Sequence, residues 1–143
     1  MILGFTGTSR GMTQRQRATV RYLFNELQLT VLHHGDCVGA DAEADFVAHE
    51  LSAKVIVHPP SDPKLRAYCE PRDLAPDAPR PKPYLARNKD IALRAVDGLV
   101  AAPKEMSEVL RSGTWSTVRY ARKLGRRVWL VFPDGTFKEE AAK

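Results

Sequence analysis

The chain has 143 residues, 43% of them hydrophobic and 27% charged, the size and composition of one ordinary globular domain. Lys and Arg total 22 against 17 for Asp and Glu, a net charge of +5, which admits phosphate-bearing partners but lacks the like-charge blocks of a nucleic-acid-binding tail. Two cysteines cannot frame a secreted fold, no apolar run reaches the roughly 18 residues of a membrane span, and the first residues lack a signal peptide's basic start, so a cytoplasmic protein with no membrane partner is expected.

Residues 2–6 form the first of five short apolar runs; the others are 30–34, 54–58, 98–102 and 128–132. They lack strict polar alternation, which suits strands covered on both faces, as in a parallel sheet. Helical patterns lie between them. Thr13 with Gln16 is a capping-box signature, and Val20, Leu23, Phe24 and Leu27 follow as one stripe. Residues 40–51 bury Ala44, Val47, Ala48 and Leu51 at the same spacing. A third helix is predicted from Pro83 to about Ala95, with Leu85, Asn88, Ala92 and Ala95 facing inward, and a fourth from Gly113 to Gly125, its dipole complemented by Arg122 and Lys123. The alternation predicts an α/β fold: a single domain over residues 1–143, doubly wound, with a mainly parallel five-stranded sheet and helices on both faces. Residues 59–83 hold eight of the ten prolines, so they are predicted to form a long ordered loop or lid, with Leu65, Tyr68 and Leu74 packing over the body.

In open α/β sheets, ligands bind beyond the carboxyl ends of the strands. Four strand exits here are rich in small, polar and basic residues. After the first strand come Gly7, Thr8, Ser9, Arg10 and Gly11, where glycine lets N–H groups approach an anion, the hydroxyls add donors, and Arg10 pairs with a phosphate; the glycines otherwise serve a tight turn. After the second come His34, Gly35, Asp36, Cys37, Val38, Gly39, Ala40 and Asp41. Asp36 reads a ligand donor such as a ribose hydroxyl or caps its own loop. Gly39, Ala40 and Asp41 open a helix whose N-terminus favours negative charge, and Asp41 is alternatively a first-turn carboxylate. Pro59 leaves the third strand at the edge of the same region, and Lys104 leaves the fourth.

Arg87 and Asn88 share the third helix, Asn88 facing inward toward a loop backbone or a ligand. Ser112, Gly113, Thr114, Ser116 and Thr117 make either a phosphate cradle at a helix start or ordinary N-caps, and Trp115 either stacks on a base or fills core. Cys37 is either a thiolate stabilised near a helix start or a buried, inert thiol. Neither G-x-G-x-x-G nor the P-loop signature occurs. His33, His34 and Cys37 supply too few ligands for zinc, and strand alternation points the two histidines oppositely. No metal or cofactor is expected.

Taken together, these pieces resemble the SLOG superfamily of Rossmann-like proteins, which includes the DNA-processing protein DprA and the LOG nucleotide phosphoribohydrolases. Gly7-Thr8-Ser9-Arg10 looks like the group's G-S-R turn, and the stretch from His34 to Asp41 is similar to its G-G-A-x-G-A-D. Arg87-Asn88 resembles its R-N pair, Asp97 with residues 99–103 its aspartate-led strand, and Gly113-Thr114 its G-T. The resemblance implies strand order 3-2-1-4-5, a nucleotide or nucleotide derivative bound across the strand ends, and frequent homodimers. The chain departs from the enzymatic branch: Leu110-Arg111-Ser112 stands where that branch has Gly-Gly-x, and Thr117 stands at its glutamate position. Nucleotide binding, for sensing or sequestration, is therefore the expected function, with hydrolysis of an N-glycosidic bond and DprA-like binding of single-stranded DNA as alternatives.

Overall fold

In a computed structural model, which describes residues 1–70 and 79–143, strand and helix alternate through most of the chain. The elements are β1 (Ile2–Gly7), α1 (Gln14–Glu26), β2 (Val31–His34), α2 (Ala40–Glu50), β3 (Lys54–Val57), α3 (Tyr84–Arg94), β4 (Gly98–Ala102), α4 (Gly113–Lys123), β5 (Val128–Val131) and β6 (Phe137–Glu140). They build one sheet in the order β3-β2-β1-β4-β5-β6, parallel except for β6, which pairs antiparallel with β5. The predicted five strands and their order are present, and β6 adds a sixth. Its Phe-Lys-Glu-Glu sequence is mostly exposed, and ion pairs hold it (Arg122 to Glu140 at 2.8 Å, Arg127 to Glu139 at 2.5 Å). A pattern of buried apolar residues could not reveal such a strand.

Helices α1 and α2 cover one face of the sheet around Phe5, Phe24, Leu32 and Val47, while α3 and α4 cover the other around Ile91, Leu99, Trp115 and Leu130. The capping box of α1 is formed: the Thr13 hydroxyl accepts Gln16 N–H at 3.0 Å, and Gln16 Oε1 accepts Thr13 N–H at 3.2 Å. Gln16 is also buried, and its Nε2 donates to the carbonyls of Pro103 and Val131, each at 2.8 Å. One side chain thus ties the start of α1 to the exits of β4 and β5.

Asn88, Ala92 and Ala95 are buried as expected, together with Arg87 and Ile91, but Leu85 does not share that face of α3 and is 64% exposed. The first turn of α3 packs on the loops leaving β2 and β3, whose free carbonyls need donors that leucine cannot supply. In the proline-rich region, Leu65 and Tyr68 are likewise exposed, at 51% and 61%; Leu74 lies outside the described residues. The two ends of that region are pinched together, with Ser61 N–H donating to Lys82 O at 2.8 Å and Lys82 N–H to Pro59 O at 3.2 Å. Among the described residues, no helix is long and apolar enough to cross a membrane.

Replacing Gln16 with Leu removes half of the capping box and leaves two buried carbonyls without donors. Urea unfolding is expected to show a loss of about 1–3 kcal/mol; an unchanged midpoint would mean that the amide does not tie α1 to the sheet.

Candidate anion-binding site

The strand order reverses between β1 and β4, because the chain winds outward from β1 through β2 to β3 and from β4 to β5. A crevice opens at the carboxyl ends of such a pair, and a cavity of about 220 Å³ lies there. Its walls are Gly7 to Arg10 after β1, Lys104 and Glu105 after β4, and Arg111 to Thr114 at the start of α4. Cys37, Leu65 and Tyr84 close the far side.

The turn after β1 is built by Thr8. Its carbonyl accepts N–H groups from Gly11 (3.2 Å) and Ala40 (3.0 Å), and its hydroxyl accepts Arg10 N–H (3.2 Å). Gly7 serves this packing: a Cβ there would lie 2.5 Å from Ala40 Cβ. Gly39 has φ +88° and abuts the Ser9 carbonyl, so a side chain there is barred twice over. The N-terminus of α2 is therefore closed by protein. That of α4 is open. Ser112 Oγ caps Trp115 N–H at 3.3 Å, whereas the N–H groups of Gly113 and Thr114 have no acceptor among the described residues. The Tyr84 hydroxyl stands directly over Gly113, in the space a side chain would take, and burial holds this phenol above the usual tyrosine range.

Three cations, Arg10, Lys104 and Arg111, border the cavity, and none has an ion-pair or side-chain hydrogen-bond partner among the described residues. Among the described residues the one carboxylate in the wall is Glu105, whose Oε1 accepts the Trp115 indole N–H at 3.1 Å.

The loop after β2 is turned to internal use. Asp36 is fully buried with φ +56°; its Oδ2 accepts Arg66 Nε–H at 2.8 Å and its Oδ1 accepts Cys69 N–H at 2.7 Å. Its carbonyl accepts Ala67 N–H at 2.7 Å, and Val38 N–H bonds Leu65 O at 2.8 Å, so residues 65–69 are strapped onto residues 36–38. Asp41 is buried beneath the same loop, accepting Cys37 N–H at 3.2 Å, and burial pushes its carboxyl upward. The buried Arg87 guanidinium donates to Gly35 O and His58 O, lies 3.7 Å from Cys37 Sγ, and donates through Nε to Asn88 Oδ1 at 2.8 Å. Burial also raises the Cys37 thiol, which favours the inert form over a thiolate.

His34, Asp45 and Cys69 place ligand atoms within 4.8 Å of one another. His34 Nδ1 accepts Asp36 N–H at 3.0 Å, so the proton sits on Nε2, which donates to Asp45 Oδ1 at 2.8 Å. With both ring nitrogens engaged, a metal at Nε2 would displace the Asp45 bond and move the proton to Nδ1, which would lose the Asp36 N–H; the group is a hydrogen-bonded chain and fits a metal poorly. His33 points to the other face, where its Nδ1 lies 2.8 Å from His58 Nε2. Burial, aided for His33 by Arg94 and for His58 by His33, lowers these imidazoles to about 4 and about 3.

The structure brings together Gly7, Thr8, Ser9, Arg10, Ser112, Gly113 and Thr114 around the cavity. His34, Gly35, Asp36, Gly39, Ala40, Asp41, Pro59, Arg87, Asn88, Ser116 and Thr117 are placed outside its wall. Thr117 is buried, its hydroxyl donating to Gly113 O at 2.9 Å. Wall residues that sequence reasoning passed over are Glu105, Arg111, Leu65 and Tyr84. The two charged ones had a signal, since they flank the exit of β4 and the start of α4.

No protein-family model matches the sequence, and no curated protein matches it significantly. Solved structures do match. DprA from Streptococcus pneumoniae aligns with a TM-score of 0.60 at 21% identity, over 90% of this chain and 50% of that one. The chain shares the Rossmann-like fold of DprA. DprA from Helicobacter pylori, whose structure concerns its single-stranded DNA binding mode, gives 0.56 at 20% identity over 90% of this chain and 64% of that one. The molybdenum cofactor carrier protein from Chlamydomonas reinhardtii gives 0.55 at 21%, over 91% and 76%. The chain spans about half the length of the pneumococcal DprA, and at these identities the likeness is one of fold.

Asp36→Ala is expected to cost about 2–4 kcal/mol by leaving Arg66 and Cys69 N–H without their buried acceptor. Proteolysis at Arg66 should accelerate in that variant; unchanged cleavage would mean that the strap is held elsewhere. The His33–His58 pair predicts a pH dependence. Both imidazoles stay neutral in the native state, while the unfolded chain takes up protons below the ordinary 6.5. Their stabilisation is thus complete above 6.5 and is lost as pH falls toward 4. Urea midpoints should drop between pH 7 and pH 5; equal midpoints would show the pair to be already solvated.

Proposed function

We propose that the chain binds a nucleotide or nucleotide derivative by its phosphate, as a cytoplasmic sensing or sequestering protein. The observation that supports this most is the set of three cations, without ion-pair partners among the described residues, that share one small cavity with the N-terminus of α4. Charged side chains bonded to phosphate and backbone N–H groups at a helix start are the usual physical means of holding that group. At about 220 Å³ the cavity falls below the roughly 300–1,000 Å³ of sites that enclose a whole organic ligand. A second hollow of about 440 Å³ adjoins it, sharing Cys37, Leu65 and Tyr84 and adding Pro60, Ser61, Asp62 and Lys64. The phosphorylated end fits the first and the remainder of the molecule the second, so the start of the proline-rich region serves as the outer wall, in the manner of a lid.

The ligands named for the structural neighbours, single-stranded DNA and a molybdenum cofactor, do not choose among phosphate-bearing molecules. Binding without hydrolysis is favoured because Thr117, at the position where the resemblance implies a glutamate, carries no carboxylate and has its hydroxyl bonded to its own helix.

Arg10→Ala is expected to weaken binding of nucleoside 5′-monophosphates by roughly 10- to 100-fold in calorimetry, the loss of one charge-assisted contact. The unliganded melting temperature should stay the same, because Arg10 is exposed. Equal affinities in the two proteins would move the phosphate elsewhere. Free base appearing on chromatography would replace the binding reading with hydrolysis.

A further inference from the structure

We propose that Glu105 is a charge filter that restricts the cavity to ligands ending in a single phosphate monoester. The inference rests on the reading of the cavity as a phosphate site and adds which phosphates it accepts.

Glu105 is held in place. Its Oε1 is anchored by the indole N–H of Trp115 at 3.1 Å, and Trp115 is 1% exposed within the α3–α4 core. A carboxylate fixed by a rigid, packed ring cannot swing away when a second anion arrives. Its charge is not needed for that anchor, since any carbonyl oxygen would accept the indole hydrogen. Nor is its charge neutralised: among the described residues Glu105 forms no ion pair, although Arg10, Lys104 and Arg111 share the same cavity. An anion site that keeps an unpaired carboxylate in its wall gives up affinity for every anion and loses most for the most highly charged.

The charges decide which ligand is left. Among the described residues, three cations and one carboxylate line the wall, a formal +2, and a phosphate monoester carries about −1.5 to −2 at neutral pH. One monoester is therefore matched. A second phosphate adds charge beside Glu105 in a small, partly desolvated space, where repulsion is less screened than in water. Selection of this kind works by a built-in repulsive element, not by an extra attraction.

The test measures adenosine 5′-monophosphate and adenosine 5′-diphosphate on wild type, Glu105→Gln and Arg10→Ala by calorimetry. Glutamine keeps the carbonyl acceptor for Trp115 and removes only the charge. Wild type is expected to bind the monophosphate at least about tenfold more tightly than the diphosphate, and Glu105→Gln to reduce that ratio by about tenfold. Arg10→Ala should weaken both nucleotides and keep the ratio. A wild-type protein that binds the diphosphate as tightly as the monophosphate overturns the charge filter, and so does a ratio unchanged in Glu105→Gln. In either case weaker binding of both nucleotides by Arg10→Ala leaves the phosphate site standing. If Arg10→Ala has no effect on either nucleotide, the site reading fails and the filter with it. Should Glu105→Gln fail to fold, the wild-type ratio decides alone.

Discussion

The carboxyl edge of this sheet depends on one close approach, that of the turn after β1 to the first residues of α2. The Thr8 carbonyl takes two N–H groups there, and Gly7 and Gly39 provide the only surfaces small enough to let the two segments meet. Two helix N-termini lie near the point where the strand order reverses. The approach of the turn fills one of them with protein backbone and leaves the other facing a cavity. Ser9 and Arg10, carried on the far side of the same turn, are thereby turned toward α4. Glycine's value in this region is mutual packing of backbone against backbone, and the cavity beside α4 is what remains once that packing is complete.

Around this edge the loops are held by buried polar groups more than by apolar ones. Arg87 supplies donors to carbonyls at the ends of β2 and β3, while Asp36 supplies acceptors to the strap at residues 65–69. Exit loops of parallel strands carry backbone groups with no neighbour in the sheet, so something must pair with them. Charged side chains do so with strong, directional bonds, and each bond fixes a loop in one place. Such networks tolerate no half measures, because a buried group that loses its partner keeps the full cost of desolvation.

The architecture was legible where burial dictates residue type. Val20, Leu23 and Phe24 mark α1, and the apolar runs mark five strands, because each must be covered by a neighbour. Part of the cavity's lining was legible as well, since Gly7 to Arg10 and Ser112 to Thr114 stand out as small, polar and basic residues at a strand exit and a helix start. What pattern reading could not supply was the division of labour within that region. Asp36 and Arg87 have the composition of ligand contacts, yet their charges are spent on loops distant in sequence, and such partners have no periodicity; Asp41 instead accepts Cys37 N–H in the loop just before its own helix. Tyr84 was missed for the opposite reason. Nothing local to it signals a site, and only the superposition of α3 on the start of α4 brings it to the cavity.

The β5–β6 hairpin bears on how this sheet meets other molecules. A parallel sheet ending at β5 would expose the backbone of Val128, Trp129, Leu130 and Val131, an apolar strand well suited to pairing with another chain. β6 covers that edge with a four-residue strand running the other way, and its own rim presents Lys138, Glu139 and Glu140. Arg122 and Arg127 pin the two glutamates from within the same molecule. On this side the sheet ends in a short charged margin, a poor template for a further strand, and the protein is guarded there against growing edge to edge.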